Sequence, residues 1–587
     1  MPHFNQIKLI IYLLVLSIFG NLKANVISEE FLQVEDVEEE NLYELIESYI
    51  DNRLEWQQCT ADEIQRLPLQ ASIIEILVQV KGDEAEINTW QELGQMTKLS
   101  KREIRAIKMF INIGTVKNYS GEYKLYNKLK QGNKQLNYNK NCQKIKIGLP
   151  SGGYIGGVTE WDEGEREIWD HRNITYRSPI IKDKIRVYAG SYKINSGYGL
   201  VLSNSLFSMR LTNPSSNLKP GALKIYNTTS SNEFNYLFGT SVDYQAGAIK
   251  LMPFWSIKYI DGNIENGVIK NISKTGVHVT EGQIKRKNNI LQNQYGLAFN
   301  YDQNAYGLGV LSYYSDYGRE FEKIGRPNLS VLALNHYFKF DSWILSGESA
   351  FAGDSKLALK EALLFNLDKL IFGVGYRYFS PQYFSDRAST VRQYSGPLQN
   401  EKGVNFSLQL KLPWKITING YIDYFSRIKP QTAGENVPTG STLVAQLIKK
   451  FNVGIKLWLK YKKVREQYIS SIYFERIKQQ FKVKSLFELT SGFNIINRFV
   501  YNKLLIGGTQ ESGMGINNSL EIETDRVVID FGTTNYFTES YDSRVYLYEP
   551  GIPFRFNLPV LYGAGTRFFM TINYRINEIF LLYFVCS

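Results

Sequence analysis

The densest group of chemically able side chains is the stretch EWDEGE, which sets Glu160, Asp162, Glu163 and Glu165 close together. Four carboxylates at that spacing offer the several oxygens that a hard divalent cation takes. The ordinary reading is a solvated turn, and no bound metal is expected. Past the N-terminal leader the histidines are His171, His278 and His336, with no two close in sequence. His336 lies in LNHYFKF, where it reads as a strand side chain and not as a base. No H-E-x-x-H, G-x-S-x-G or phosphate-loop pattern occurs, so neither an enzyme nor a cofactor is expected. One basic stripe remains: Lys101, Arg105 and Lys108 share a helical face opposite Ile104, Ile107 and Ile111, with Lys98 just before them. A stripe of this kind suits contact with phosphate or an acidic partner, against the plainer reading of a solvated helix face.

The elements that carry these residues change character near residue 117. Residues 25–117 are helical in pattern, with Leu42, Leu45, Ile46, Tyr49 and Ile50 at helical spacings. Thr60 with Glu63, and Ser100 with Glu103, form capping boxes. From residue 118 onward the period drops to two. NVGIKLWLKYKK alternates Val453, Ile455, Leu457 and Leu459 with Lys456, Trp458, Lys460 and Lys462. VNFSLQLKL sets Val404, Phe406, Leu408, Leu410 and Leu412 against Asn405, Ser407, Gln409 and Lys411. A tight turn at Pro413 leads into WKITINGYIDYF, where Lys415, Thr417, Asn419 and Asp423 form the polar face. Successive side chains of a strand leave opposite faces, so each segment is an amphipathic strand.

Short turns alternate with long polar loops around strands of about ten residues, the pattern of a transmembrane barrel with periplasmic turns and external loops. The predicted fold is mainly β, a large antiparallel barrel of about 18–24 strands, with closure favouring an even number. Its apolar faces would meet lipid, and Lys411, Lys415, Lys456, Lys460 and Lys462 would line the lumen. Mean hydropathy of −0.26 is unremarkable for such a barrel, because lipid-facing and lumen-facing residues alternate. Aromatics are abundant, 40 Tyr and 33 Phe, as suits membrane interfaces. Residues 1–24 read as a signal peptide, with Lys8 before an apolar run from Leu9 to Phe19 that is too short to span a bilayer. The predicted domains are therefore this leader, a helical module over 25–117 and a barrel over 118–587. The three cysteines, Cys59, Cys142 and Cys586, are too few for a disulfide framework; a Cys59–Cys142 bridge is the one alternative to unpaired thiols.

The segment TADEIQRLPLQASIIEILVQ resembles a first helix-hairpin-helix motif, and TWQELGQMTKLSKREIRAIKMFI a second. GGVTEWDEGE, AGSYKINSGYGLVLS and YNTTSSNEFNYLFG follow in an order similar to the exported helix-hairpin-helix outer-membrane proteins of the Bacteroidetes group. The resemblance implies an outer-membrane barrel of a Gram-negative bacterium with the module in the periplasm. In such modules a glycine-rich hairpin brings backbone N–H groups up to a phosphate. Here the first hairpin is Leu67, Pro68, Leu69, Gln70 and Ala71, without either glycine. Residues 25–117 hold 19 acidic and 9 basic side chains, net −10, whereas residues from 118 onward carry a net +19. An acidic module is a poor ligand for nucleic acid, whose affinity comes from neutralising phosphates.

Two functions are expected from these features. The first is a non-catalytic, porin-like channel or docking barrel with a cationic lumen and a preference for anions. The second is a membrane-anchored adaptor whose module binds a periplasmic protein or, against its charge, DNA during uptake. The expected partners are outer-membrane lipid and a periplasmic protein.

Overall fold

The structure is a computed structural model. It describes residue 49 and residues 52–586 apart from short stretches, the longest being 115–119, 204–213, 431–435, 551–556 and 576–580. The leader, most of the first predicted helix, Lys98, Ser100 and Glu163 lie outside the described residues.

Among the described residues the helical module has the short helices Ala61–Gln65, Ala71–Gly82, Trp90–Thr97 and Lys101–Ile107. Its ends are tied by a parallel pairing of Leu54–Glu55 with Ile111–Asn112. Thr60 and Glu63 exchange side-chain and backbone hydrogen bonds of 3.1 and 3.2 Å, the capping box read from the sequence. Thr89 and Glu92 form a second box. Trp56, Ile64, Leu67, Leu69, Ile73, Leu77, Leu93, Ile107 and Phe110 form the core between the helices. Burying such side chains stabilises each by roughly 1.5–3 kcal/mol, which short helices need because propensity alone leaves them marginal.

Beyond the module, one antiparallel sheet of about 24 strands closes into a barrel, at the upper end of the expected range. Turns near residues 247, 341, 367, 413, 452, 491 and 525 are short and gather at one rim, and the longer connections that follow Asp162, Gly197, Ile260, Phe379 and Thr538 leave from the other. The alternation sorts side chains as the pleat requires. On the outer face Tyr295, Leu297, Phe406, Leu408, Ile422 and Tyr424 are exposed, while Gln292, Gln294, Ser407, Gln409, Asn419 and Asp423 on the same or neighbouring strands are buried inside. An apolar face turned outward around a whole barrel is what lipid requires. Cys59 and Cys142 are buried free thiols, so no bridge joins them.

Candidate functional site

The lumen is the place where the chain could do work, and it is filled from both rims. Three loops turn inward from the long-loop rim. The strand Ile185–Gly197 leaves the wall at its end, and the turn that follows crosses the lumen to the strand Trp343–Ala352. There the N–H groups of Tyr198 and Leu200 donate to Glu348 Oε2 at 2.5 and 3.3 Å, and the Tyr198 hydroxyl meets Ser346 Oγ at 2.8 Å. Gly199 has φ +78°, and a Cβ on it would lie 2.4 Å from the Ser389 carbonyl, so only glycine fits this turn. Leu218, from the same inward segment, sits against Gly373 and Gly375. A Cβ at Gly373 would come within 2.3 Å of the leucine methyl. The AGSYKINSGYGLVLS segment therefore builds part of the lumen filling.

Loop 380–400 locks onto this segment. The Tyr383 hydroxyl donates to the Leu200 carbonyl at 2.7 Å and the Ser385 hydroxyl to the Val201 carbonyl at 3.0 Å. The Arg387 guanidinium reaches Gln294, Gln292 and the Phe234 carbonyl at 3.1, 2.9 and 2.8 Å. Farther along, Gln393 joins a buried charged group on the wall. Arg377 is bidentate to Asp423 at 2.7 and 3.1 Å and donates to Glu401 at 2.7 Å. Gln393 donates to both carboxylates. Every charge there has a partner, which is the condition for keeping ions out of water. The third loop, 539–563, runs inward past Arg498, whose guanidinium lies 5.2 Å from the Tyr548 ring. Tyr548 and Leu558 end in the core of the helical module.

The module itself enters from the short-turn rim. Glu75 pairs with Lys411 at 2.9 Å, next to the turn at Pro413. Glu103 pairs with Lys456 at 3.8 Å, beside the turn near residue 452. Arg105 pairs with Glu523, beside the turn near residue 525. Glu63 and Lys224 meet at 2.9 Å, Gln65 accepts from Lys219, and Asn52 and Asn227 exchange two hydrogen bonds of 2.9 Å. The module thus pairs with charged wall residues beside three of the short turns and, through Asn52, Glu63 and Gln65, with the inward segment at residues 219–227.

These contacts decide what the residues singled out above can do. Lys411 and Lys456 reach the lumen, but they are engaged by module carboxylates instead of facing an open pore. Lys456, Lys460 and Lys462 share the inward face with Trp458, whose ring carries Lys484 5.3 Å away. Lys415 stands exposed in the turn at φ +60° and does not line the lumen. The basic stripe is divided: Arg105 binds Glu523 and Lys108 lies 5.3 Å over the Trp90 ring, while Lys101 is in the last helix. Pro68 and Leu69 are buried in the module, and Gln70 opens the helix Ala71–Gly82. Cys59 lies inside the module, where burial pushes its thiol up to about 11 and keeps it unreactive.

The EWDEGE carboxylates do not act together. Glu160 is on a buried strand face, Asp162 ends that strand, and among the described residues of this stretch Glu165 alone reaches a cluster with chemistry, accepting the His278 backbone N–H at 3.0 Å. That cluster was hidden from the sequence, because His278 lies 113 residues from Glu165 and Asp261 and Glu233 come from other connections. The signal that could have found it was a second carboxylate, Asp170, five positions after Glu165.

No family model matches this chain, and no curated protein matches it. Among solved structures, OmpT of Vibrio cholerae is 9% identical with a TM-score of 0.28, covering 58% of this chain and 100% of its own. OpdO of Pseudomonas aeruginosa is 11% identical with a TM-score of 0.34, covering 67% of this chain and 98% of its own. A BenF-like porin from Pseudomonas fluorescens is 9% identical with a TM-score of 0.31, covering 61% of this chain and 94% of its own. None of them lends this chain a residue, a ligand or a role.

Proposed function

We propose that this chain is an integral outer-membrane barrel of a Gram-negative bacterium, a non-catalytic channel or docking protein whose periplasmic mouth is closed by its own helical module. The observation that carries the reading is the ring of cross-contacts Glu75–Lys411, Glu103–Lys456 and Arg105–Glu523 at the short-turn rim. Short turns are the periplasmic side of such barrels. An acidic module against a basic wall is also held by long-range attraction that salt weakens. Glu75–Lys411 is the most exposed of the three and contributes about 0–1 kcal/mol, whereas Glu103–Lys456 and Arg105–Glu523 are largely buried, so reversing a charge there leaves its partner unpaired. The helix-hairpin-helix likeness enters as a compact scaffold whose hairpin is spent on packing. Displacing the module would uncover Lys411 on the inward face that also carries Lys460 and Lys462, while Lys456 keeps its wall partner Glu488 at 3.2 Å, and the net positive lining would favour anions.

Planar-bilayer recording of the full-length protein tests this. At low salt the wild type should be nearly silent, and the double variant Glu75→Lys, Glu103→Lys should open often, with reversal potentials that favour anions. Steady conductance in the wild type, unchanged in the variant, would overturn the closure.

A further inference from the structure

At the long-loop rim a second group of buried charges gathers around His278, apart from the module and its rim. The His278 side chain is 3% exposed. Its Nδ1 lies 2.5 Å from Asp170 Oδ2 and its Nε2 lies 2.7 Å from Asp261 Oδ2. Asp170 is held in turn by Lys287, and the other Asp261 oxygen accepts the Asn288 N–H at 2.8 Å. Glu165 fixes the His278 backbone. On the Nε2 side, an oxygen of Glu233 comes within 4.8 Å of both the imidazole nitrogen and the Asp261 carboxylate. No hydrogen bond reaches the Glu233 carboxylate among the described residues.

We propose that Glu233, Asp261 and His278 Nε2 bind a divalent transition-metal ion of the zinc class, with Asp170 orienting the imidazole from its far side. The donor set is one nitrogen and two carboxylates, the mixture that suits zinc and its neighbours, with room for water or a further ligand. The Nδ1 contact to Asp170 has the geometry of the carboxylate that orients a metal-bound histidine and raises its basicity. Charge argues the same way. With a neutral imidazole, Glu165, Asp170, Asp261 and Glu233 face Lys287 and Lys258, which donates to the Glu233 carbonyl. That leaves two negative charges to a divalent ion.

The site would pin three segments of the outer rim together: the inward segment carrying Glu233, the strand end at Asp261 and the loop of His278. Its occupancy is independent of how the periplasmic mouth is closed. Chelator-treated full-length protein, folded in detergent, is titrated with ZnCl2 by calorimetry and with CoCl2 by visible absorption. One ion per chain is expected. His278→Ala and Glu233→Gln should each weaken binding at least tenfold, and Asp170→Asn by about 10–100-fold. Glu281→Gln, an exposed carboxylate on the adjoining helix, should bind as the wild type does. Heat-modifiable migration checks that each variant is folded, and the near-isosteric Glu233→Gln serves if His278→Ala is not. No stoichiometric ion in the wild type, or unchanged affinity in folded Glu233→Gln, would overturn the site and leave a plain ion-pair cluster.

Discussion

The strands from 249 to 379 and those from 439 to 575 obey the same alternation, yet their inward faces are built differently. In the first group the inner face carries Met252, Phe254, Ala298, Leu311, Tyr313, Leu329, Val331, Ala333, Ala350 and Ala358. These pack against the inward segments around Leu200 and Tyr383, beside buried polar groups such as Gln292, Gln294 and Glu348, so the filling of this half is mainly apolar. In the second group the inner face is mainly polar, with Thr442, Gln480, Asn494, Arg498, Asn502, Asn517, Ser519, Asp530, Thr534, Thr571 and Asn573, beside smaller apolar patches at Trp458, Leu486 and Ile496 and at Val500. There side chains hydrogen-bond one another across strands, as Asn517 does to Thr534 at 2.8 Å. One half spends its interior on holding a plug, and the other keeps a polar wall beside the module and loop 539–563. A barrel of this size encloses more space than side chains alone can fill, so an apolar inner face calls for a covering segment whereas a polar one does not.

The seam between the halves should be the most sensitive point. Arg377→Ala leaves Asp423 and Glu401 buried without their cation, and the loss should be about 3–5 kcal/mol, read as a shift in the urea midpoint of the detergent-folded protein. A shift no larger than that of a surface variant would show that water reaches the seam. Within the mainly apolar half, Leu329→Ala should cost about 2–5 kcal/mol by opening a cavity. Were it tolerated as a small change, the packed core would have to be loose.

On the outside the halves should behave alike. Leu459→Arg puts a cation on the lipid face farther from the short-turn rim and should cost about 2–4 kcal/mol near the midplane, seen as loss of heat-modifiable migration. Lys456→Leu, on the inward face of the same strand, should leave the barrel folded and disturb only the contacts with Glu103 and Glu488. Equal damage from both would mean that the strand does not separate lipid from lumen. Smallest of all, Thr534→Val in the polar half should cost about 0.5–1.5 kcal/mol. A loss as large as that of Leu329→Ala would erase the distinction between a packed and a polar interior.

The period-two pattern in residues such as Leu457 and Lys456 was enough to read strands, their lipid faces and the rim of short turns. That pattern is local, set by the pleat and by which side of each strand avoids water. Charge also spoke early, since the acidic module and basic barrel are plain in composition, and the Thr60–Glu63 cap lies within a single turn. What lay beyond reach was anything made by distant parts of the chain. Glu75 and Lys411, Tyr548 and the module core, and Glu165 and His278 have no shared period and no fixed spacing. Met252, Leu311 and Ala333 lie on inward strand faces, but nothing local tells a wet interior from one packed around residues 198–203. The sequence alone determined which side of each strand faces lipid, because that choice is made one residue at a time. Only the tertiary structure decided what fills the barrel, because loop closure over more than a hundred residues brings those groups together and leaves no mark on the local pattern.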